Sequence, residues 1–504
     1  MNKITAFTFA ALSLLALAAA LDAAQSSKPN ILLIVSEDTG PELGCYGDRF
    51  ARTPNLDRLA GGGIRFDHAF VPYSICLPSR TAFLTGLYPH QNGQIGLATH
   101  KFAMYRQDTP NIATLLKPAD YRTGLIGKLH VNPESAFPFD FRAIPSSNFG
   151  RTVDGEKYAE EAAKFWAEFG SKPWFLSVNF PDTHLPFIRQ VNNRPAKPQT
   201  GADVKMLPWI AVESERLRDV QADYYNCLAR LDEWVGLLLA ALNKSGAADN
   251  TLIVYLGDHG PQFPRGKGTV YEGALRVPLI LHWPQKAQAG LARSDLVSTI
   301  DLLPTMLKAA GIDKPKALPG LSLLPLLKAG TAPAWRRYIY GLTTGAAPRM
   351  CFVQHSIRDD RYKLISSPRP GTENLDAGTY LDPAHPHYVV TGLLPTERAV
   401  APPEVKRALE RWEHPPRFEL YDLKNDPHEW NNLAEDRGYA AVKKRLVKAL
   451  DTFQRQTADP FRDQKNVDAF VEQQLSNRDL RYEKDKEFCW DYLKTFPVWR
   501  DLRQ

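Results

Sequence analysis

The segment Asn30-Ile31-Leu32-Leu33-Ile34-Val35-Ser36-Glu37-Asp38 sets the fold class of this chain. Its apolar run is continuous rather than alternating, which is typical of a parallel strand buried on both faces. Similar runs recur at residues 121–127, 174–180, 251–256 and 277–283, and helical patterns lie at 54–60, 213–243 and 299–310. Strands that alternate with helices predict an α/β fold in which a mostly parallel sheet lies between helices.

Polar side chains follow four of the predicted strands at the point where each strand ends. They are Glu37 and Asp38, Lys128 and His130, Asp182 and His184, and Asp258 and His259. In open α/β sheets, ligands bind outside the carboxyl ends of the strands. We therefore predict that these four clusters converge on one cleft.

The composition places the chain among soluble globular proteins. Its 504 residues are enough for one very large domain or two domains. The net charge of +6 is mild for this length, so it does not indicate a nucleic-acid partner, and it would not repel a polyanionic sugar. After about residue 345, proline-rich loops separate short strands and helices, including a strand at 418–422 and a helix at 442–456. This predicts a catalytic domain over 25–345 and a smaller α+β subdomain over 346–504.

The amino terminus has the pattern of a targeting segment. Lys3 precedes an apolar, alanine-rich stretch at 4–21, and polar residues follow it at once. This pattern predicts a cleaved secretory signal peptide at 1–24 rather than a membrane anchor, and hence a secreted or periplasmic protein. We expect no membrane span elsewhere. The pairing of the remaining cysteines and the oligomeric state are left open by the sequence.

The pentapeptide Cys76-Leu77-Pro78-Ser79-Arg80 has the features of a reactive site. Pro78 suits the first turn of a helix, where its missing N–H has no intrahelical partner to lose. Residues 79–84 can continue this helix and Gly86 can end it. Residue 76 is therefore predicted at a helix N-terminus, where free N–H groups and the helix dipole favour an anion such as sulfate.

This pentapeptide resembles the maturation signal of the type I sulfatases. In that family a formylglycine-generating or sulfatase-maturating enzyme oxidises the cysteine to Cα-formylglycine, and the aldehyde hydrate is the nucleophile. Other segments that resemble sulfatase motifs lie at 30–38, 127–130, 258–260, 267–273 and 419–434. The resemblance spans about residues 28–460, and it implies an alkaline-phosphatase-like core.

Several further segments resemble the sulfamidases, the N-sulfoglucosamine sulfohydrolases. They lie at 124–134, 137–141 and 90–93, and at Phe263-Pro264. The implied substrate is a sulfated sugar, with the N-sulfate of a non-reducing-end glucosamine in heparan sulfate or heparin fragments preferred.

The family resemblance also implies a ligand set for one divalent cation. Its members would be Glu37, Asp38, Asp258, His259 and the converted Cys76. Mostly oxygen ligands favour Ca²⁺ over Zn²⁺. Glu37 stands where aspartate is commoner, and His259 stands where many sulfatases have asparagine.

The remaining roles are carried over from the family in the same way. Arg80 would support the hydrate, while Lys128 and Lys267 would bind sulfate oxygens as compact cations. Asp258 would help to deprotonate the attacking hydroxyl. His130 would take a proton from the second hydroxyl of the sulfated intermediate. His184, with Lys267, would protonate the leaving amine or alcohol.

Other histidines are weaker candidates. His90 and His100 either touch the sugar or are structural, His282 is predicted in the core, and His355 and Arg358 could reach the cleft from the second subdomain. Three other functions stay open at this stage: O-sulfate hydrolysis on another glycan, phosphonate or phosphodiester hydrolysis, and glycan binding by a decayed site. The complete set of polar site residues argues against the last.

Overall fold

The computed structural model describes residues 28–145, 154–284, 286–330 and 334–496. The predicted signal peptide at 1–24 lies outside these residues. No helix in the described ranges combines the length and the apolar character that crossing a bilayer requires.

Fourteen strands lie in the described ranges. They are Asn30–Ser36 (β1), Ile64–Phe66 (β2), Ala69–Phe70 (β3), Arg122–Gly127 (β4), Phe141–Ala143 (β5), Trp174–Phe180 (β6), Thr251–Gly257 (β7), Leu279–His282 (β8), Leu291–Arg293 (β9), Val297–Ser298 (β10), Ile339–Thr343 (β11), Gln354–Arg358 (β12), Tyr362–Ser366 (β13) and Phe418–Asp422 (β14).

Fourteen α-helices connect or follow these strands in the same ranges. They are Pro54–Gly61 (α1), Cys76–Thr85 (α2), Pro89–Asn92 (α3), Ile112–Leu116 (α4), Gly155–Phe169 (α5), Glu215–Lys244 (α6), Glu272–Leu275 (α7), Leu302–Ala309 (α8), Leu375–Leu381 (α9), Pro395–Val400 (α10), Pro403–Glu413 (α11), Ala440–Gln456 (α12), Gln464–Ser476 (α13) and Tyr492–Thr495 (α14).

The main sheet has eight strands in the order β5-β4-β6-β1-β7-β8-β2-β9. Every pair from β5 to β7 is parallel. Strand β1 is central, and its register places Ser36 beside Phe180 of β6 and beside Gly257 of β7. The carboxyl ends of these strands therefore meet at one edge, as the mostly parallel sheet predicted from sequence requires.

Both faces of the main sheet are covered, which explains the continuous apolar run of β1. Ile31 and Leu33 belong to a core cluster on one face, which also includes residues of α2, α4 and α8. Leu32 and Ile34 belong to a second cluster on the opposite face, together with residues of α1, α5 and α6. Each strand side chain thus meets a helix layer, whichever way it points.

A four-stranded antiparallel sheet, β11-β12-β13-β14, forms the centre of the carboxy-terminal part. Helix α12 packs on it through Leu446, Leu450 and Phe453. The predicted strand at 418–422 and the predicted helix at 442–456 both lie here. The boundary predicted at residues 345 and 346 falls between β11 and β12, and it remains a prediction.

Two sequence predictions differ from the structure. The segment predicted at 277–283 as one more parallel strand is β8, and it pairs antiparallel with β7. Its connection from β7 contains only the four-residue helix α7, whereas a parallel return needs a full crossover. His282, predicted in the core, lies at the end of β8 and is only half-buried.

Candidate active site

The first residue of helix α2 is Cys76, and it lies at the carboxyl edge of the main sheet. Ile75 before it is extended, and the helix ends at Gly86, whose φ of +68° permits the N–H bond to the carbonyl oxygen of Ala82 at 2.8 Å. Cys76 is 3% exposed. Burial raises the pKa of its thiol to about 12. The unmodified thiol is therefore protonated near neutral pH and is a poor nucleophile.

Three carboxylates and three cations surround Cys76, and each carboxylate is paired. Lys267 Nζ lies 2.9 Å from Asp38 Oδ1 and 2.8 Å from Oδ2. Arg80 Nε lies 3.0 Å from Asp258 Oδ2, and Lys128 forms an ion pair with Glu37. All six side chains are buried or nearly so. Each carboxylate of the cluster thus has a basic side chain beside it.

The pKa values in this cluster follow from burial and from the opposing charges. Burial alone would raise the pKa of Asp38, but Lys267 outweighs it and holds that pKa below its usual range. The same holds for Asp258, where burial is outweighed by His259 and Arg80. Both aspartates are therefore ionised near neutral pH. For Lys128, burial lowers the pKa of the ammonium group to about 7.

The donor atoms beside Cys76 fit a divalent cation. Ligand atoms of Asp38, Cys76 and His259 lie within 4.8 Å of one another, and so do those of Glu37, Cys76 and His130. Glu37 Oε2 is buried without a hydrogen-bond partner among the described residues. A buried carboxylate oxygen without a partner is available to bind a ligand. Together with the neighbouring carboxylates and one imidazole, it forms a donor set that suits a hard cation with one nitrogen ligand.

Two site residues have strained backbone conformations. Asp38 has φ of +45° and His130 has φ of +54°, both in the left-handed region that non-glycine residues rarely adopt. Such strain persists only where surrounding contacts enforce it, and it is common at functional sites. For Asp38 those contacts include the bond from its own N–H to Asp258 Oδ1 at 2.9 Å.

Two histidines line the cleft in the neutral state. Burial and Lys128 place the pKa of His130 well below its usual value, and its buried Nδ1 has no hydrogen-bond partner among the described residues. Burial followed by Lys267 lowers the pKa of His184 to about 3. His184 Nδ1 lies 2.6 Å from the carbonyl oxygen of Leu185. A hydrogen on Nδ1 donates to that oxygen, which leaves Nε2 as the acceptor.

The site cluster opens into a cleft of about 410 Å³. Cys76, Lys128, His130, His184 and Lys267 line its inner end. Asp38, Asp258, His259, Glu37 and Arg80 lie among or beneath them through the contacts given above. The structure thus brings all ten sequence-predicted site residues together.

One strand-end residue does not belong to the cleft. Asp182 was predicted to converge there with His184, but its carboxylate faces α6 and accepts from Arg230 Nε at 2.6 Å. Both side chains of this pair are fully buried. Asp182 therefore anchors the loop after β6 to a helix, while His184 on the same loop reaches the cleft.

The histidines and the arginine that were weaker candidates also divide into residues that line the cleft and residues that do not. His100 lines the cleft, whereas His90 is buried against Tyr88 with a ring distance of 5.7 Å. His355 bonds Asp459 at 2.8 Å, and Arg358 bonds Glu272 at 2.6 Å. Neither of the last two side chains lines the cleft.

Sequence reasoning missed several residues around the site. Asn179 on β6 accepts from Arg80 Nη1 at 2.8 Å, and the Tyr380 hydroxyl donates to the Lys267 carbonyl oxygen at 2.9 Å. Gln262, Thr379 and His387 line the cleft. Gln262 could have been found, because it lies two residues after the Asp258-His259-Gly260 segment. No pattern marks the others.

This chain matches two protein-family models and several known sulfatases. A family model described as Sulfatase matches residues 29–312, and a second, described as N-sulphoglucosamine sulphohydrolase, C-terminal, matches residues 257–373. The chain is 31% identical to N-sulphoglucosamine sulphohydrolase of Homo sapiens, over 86% of this chain and 91% of the relative. It is 29% identical to an ulvan-active sulfatase of Formosa agariphila, over 86% and 81%.

A solved structure shares the fold. It is described as a complex with its substrate, D-glucosamine-2-N,6-O-disulfate, and it superposes with a TM-score of 0.65 at 22% identity. The match covers 86% of this chain and 99% of that structure.

Proposed function

Because this chain belongs to the sulfatase family, we propose that it hydrolyses the N-sulfate of glucosamine at the non-reducing end of heparan sulfate or heparin fragments. The match of residues 257–373 to the carboxy-terminal region of N-sulphoglucosamine sulphohydrolase carries this proposal. That range includes Lys267, which lines the inner end of the cleft, and Asp258 and His259 of the same site cluster, and it continues into the antiparallel subdomain.

The nucleophile in this proposal is Cys76 after conversion to Cα-formylglycine by a separate maturating enzyme. The burial and raised pKa of the unmodified thiol support this, since they argue against a thiolate nucleophile. A divalent cation, with Ca²⁺ as the first choice, would be held by Glu37, Asp38, Asp258, His259 and the converted residue 76, and it would supply charge that polarises the sulfate.

The cationic side chains of the inner cleft bind the sulfate group. Lys128 and Lys267 donate to sulfate oxygens as these gain charge in the transition state. Arg80 holds Asp258 and reaches the Lys128 carbonyl oxygen at 3.1 Å, so it fixes the position of both. These contacts orient the sulfate against the start of helix α2, where backbone N–H groups favour an anion.

The neutral histidines move protons in this proposal. His130 accepts a proton at a ring nitrogen, and Asp258 takes part in activating the nucleophile. His184 donates a proton to the leaving amine, with Lys267 beside it. Because the free-enzyme pKa of His184 is low, the acid role requires the bound sulfate to raise that pKa in the complex.

O-sulfate hydrolysis on another glycosaminoglycan or sulfated polysaccharide is the second candidate function. It is supported by the similarity to the ulvan-active sulfatase at nearly the same identity as the sulfamidase relative. Phosphonate or phosphodiester hydrolysis is a third outcome of the same assay. For the location of the protein, the amino-terminal pattern at 1–24 supports export to the periplasm or the medium.

The deciding experiment is an assay of purified, matured protein on three substrate classes. We expect sulfate release from N-sulfoglucosamine at the non-reducing end of defined heparin oligosaccharides, with lower kcat/KM on O-sulfated sugars and on aryl phosphodiesters. Release from 6-O-sulfated but not N-sulfated glucosamine would replace the sulfamidase assignment with the second candidate. The Cys76→Ala protein supplies the blank for contaminating activity.

A further inference from the structure

The cleft is divided by charge into two parts. All lysine side chains that line it, Lys128 and Lys267, lie at the inner end beside Cys76. The rest, which we name the outer cleft, is lined by Ile75, Gln262, Gly268 and residues from the segments 97–100, 346–350 and 379–389. Among the described residues, no lysine or arginine side chain lines the outer cleft.

One arginine lies close to the outer cleft without lining it. Arg349 belongs to the segment 346–350, but its Nε donates to the carbonyl oxygen of Arg478 at 2.6 Å. The neighbouring Met350 lines the cleft instead. A sulfate or carboxylate group placed in the outer cleft would therefore find no guanidinium or ammonium group lining the walls around it, apart from the two inner lysines. The imidazoles of His100 and His387 do line these walls, and burial lowers the pKa of each, which favours their neutral form.

A buried carboxylate lies directly behind the wall of the outer cleft. Asp376 on helix α9 is 3% exposed, and neither carboxylate oxygen has a hydrogen-bond partner among the described residues. Its Oδ2 lies under Gly268, where a Cβ atom would approach it to 2.6 Å. Gly268 lines the cleft. Thr379, which follows Asp376 by one turn on α9, also lines it. The carboxylate thus lies beside a cleft-lining residue that has no side chain to hold it away from the cleft.

The wall disfavours anions. Thr99, Thr379, Tyr380 and Tyr388 contribute neutral polar side chains to it. An anion against this wall would meet the uncompensated carboxylate through a poorly screened medium. Burial raises the pKa of Asp376 to about 7, so a substantial fraction is charged near neutral pH.

We infer that the outer cleft selects substrates whose non-reducing-end sugar ring carries no second anionic group, and that Asp376 is the specificity-determining residue behind its wall. The sulfate to be removed occupies the inner end, beside the two lysines. The uncharged remainder of the sugar ring fills the outer cleft. This inference rests on the proposed function and names the substrates within its class.

The test compares two sugars on the matured wild-type protein. N-sulfoglucosamine carries one sulfate, and D-glucosamine-2-N,6-O-disulfate adds a second. Mass spectrometry of the product identifies which sulfate leaves. We expect kcat/KM for N-desulfation to be at least about tenfold higher for the singly sulfated sugar, which corresponds to about 1.4 kcal/mol.

Two variants locate the source of the selection. Asp376→Asn keeps the shape of the side chain and removes its charge. It should therefore lower the ratio of kcat/KM for the singly sulfated sugar to kcat/KM for the disulfated sugar several-fold. Met350→Arg places a cation in the outer cleft and should change the ratio in the same direction. Glu373→Gln is the matched control, because it removes the same charge three residues earlier from an exposed position outside the cleft. It should leave the ratio unchanged.

The test uses the ratio of the two kcat/KM values because a partly misfolded variant loses turnover on both sugars equally, which leaves this ratio unchanged. Equal kcat/KM values for the two sugars in the wild-type protein would overturn this inference and leave the proposed function standing. No release from either sugar would overturn both. A wild-type preference that Asp376→Asn leaves unchanged would remove Asp376 from the role assigned to it.

Discussion

The Sγ atom of Cys76 lies 3.2 Å from Nε2 of His259, and this contact joins the start of helix α2 to the carboxyl end of β7. Asp38 Oδ1 lies 3.3 Å from the same nitrogen, so a carboxylate from the end of β1 completes the group. The three residues come from sequence positions far apart, yet their donor atoms share one small space. Residue 76 is therefore built into the candidate cation site rather than placed beside it.

The first prediction concerns the chemical state of residue 76. Peptide mass spectrometry of active protein should show an aldehyde or its hydrate there, because the buried thiol is too weakly acidic to act as the nucleophile. Cys76→Ala should abolish turnover and leave thermal unfolding close to that of the wild type. Cys489→Ala, a half-buried cysteine outside the cleft, is the matched control and should stay active. A fully active sample containing only the thiol would contradict the prediction.

The second prediction concerns Asp258 and the divalent cation. Asp258→Asn should lower kcat/KM by at least roughly 10²-fold, or about 2.7 kcal/mol, because it weakens the cation site and leaves Arg80 without its carboxylate. Metal analysis of the variant should show reduced occupancy. Chelation of the wild-type protein should abolish activity, and Ca²⁺ should restore it. Undiminished turnover after verified removal of every divalent ion would refute the requirement.

The central strands were predictable because their sequence signal is local. β1 and β6 lie at 30–36 and 174–180 as predicted, since each is a continuous apolar run with a polar boundary. Polar residues at strand ends also predicted where the site lies, because parallel strands end at a common edge. The direction of β8 was not predictable in this way. It depends on the length and path of the connection rather than on the strand's own residues.

Long-range partners account for the rest of what the sequence does not show. Asp182 has the same local setting as the other strand-end residues, and only Arg230, on helix α6, distinguishes it. The outer cleft is similar, because Asp376 meets Gly268 across more than a hundred residues. Periodicity and motif spacing describe neighbours along the chain, so they carry no information about such contacts.

The third prediction separates the structural role of Asp182 from the site. Asp182→Ala leaves the guanidinium of Arg230 buried without its carboxylate, which should lower the free energy of unfolding by about 3–5 kcal/mol. Denaturant unfolding measures this. The kcat/KM of the folded variant should fall far less than that of His184→Ala on the same sugar. A large loss of turnover with wild-type stability would instead place Asp182 in the catalytic machinery.

The fourth prediction uses the pH dependence of stability at Asp376. Burial raises its pKa from 3.8 to about 7 in the folded protein. The folded state therefore binds the proton more tightly than the unfolded state, and this contribution is fully present below about pH 4 and is lost as the pH rises towards 7. Asparagine does not titrate. The stability of Asp376→Asn relative to the wild type should therefore increase from pH 4 to pH 7.5.

Thermal unfolding in matched buffers provides this measurement. The difference between variant and wild type is the relevant quantity, because other buried acids such as Glu42, with a pKa raised to about 7, titrate in both proteins. Glu373→Gln again serves as the exposed control. A constant difference between Asp376→Asn and the wild type over this range would show that the carboxyl of Asp376 keeps its ordinary pKa.

The last prediction concerns the leaving group and His184. An amine or a sugar alcohol departs only with a proton, whereas an activated phenol departs readily without one. If His184 delivers that proton, His184→Ala should impair N-sulfoglucosamine about 10²- to 10⁴-fold more than an aryl sulfate with a good leaving group. His282→Ala removes a half-buried histidine outside the cleft and should affect turnover of both substrates little.

The pH profiles give a second measurement of the same role. Because the pKa of His184 is about 3 in the free protein, the pH profile of kcat should report a higher pKa than that of kcat/KM, as the bound anion favours the imidazolium. Equal losses on both substrates would remove His184 from the acid role and would leave proton delivery to Lys267, which lies on the same inner wall of the cleft.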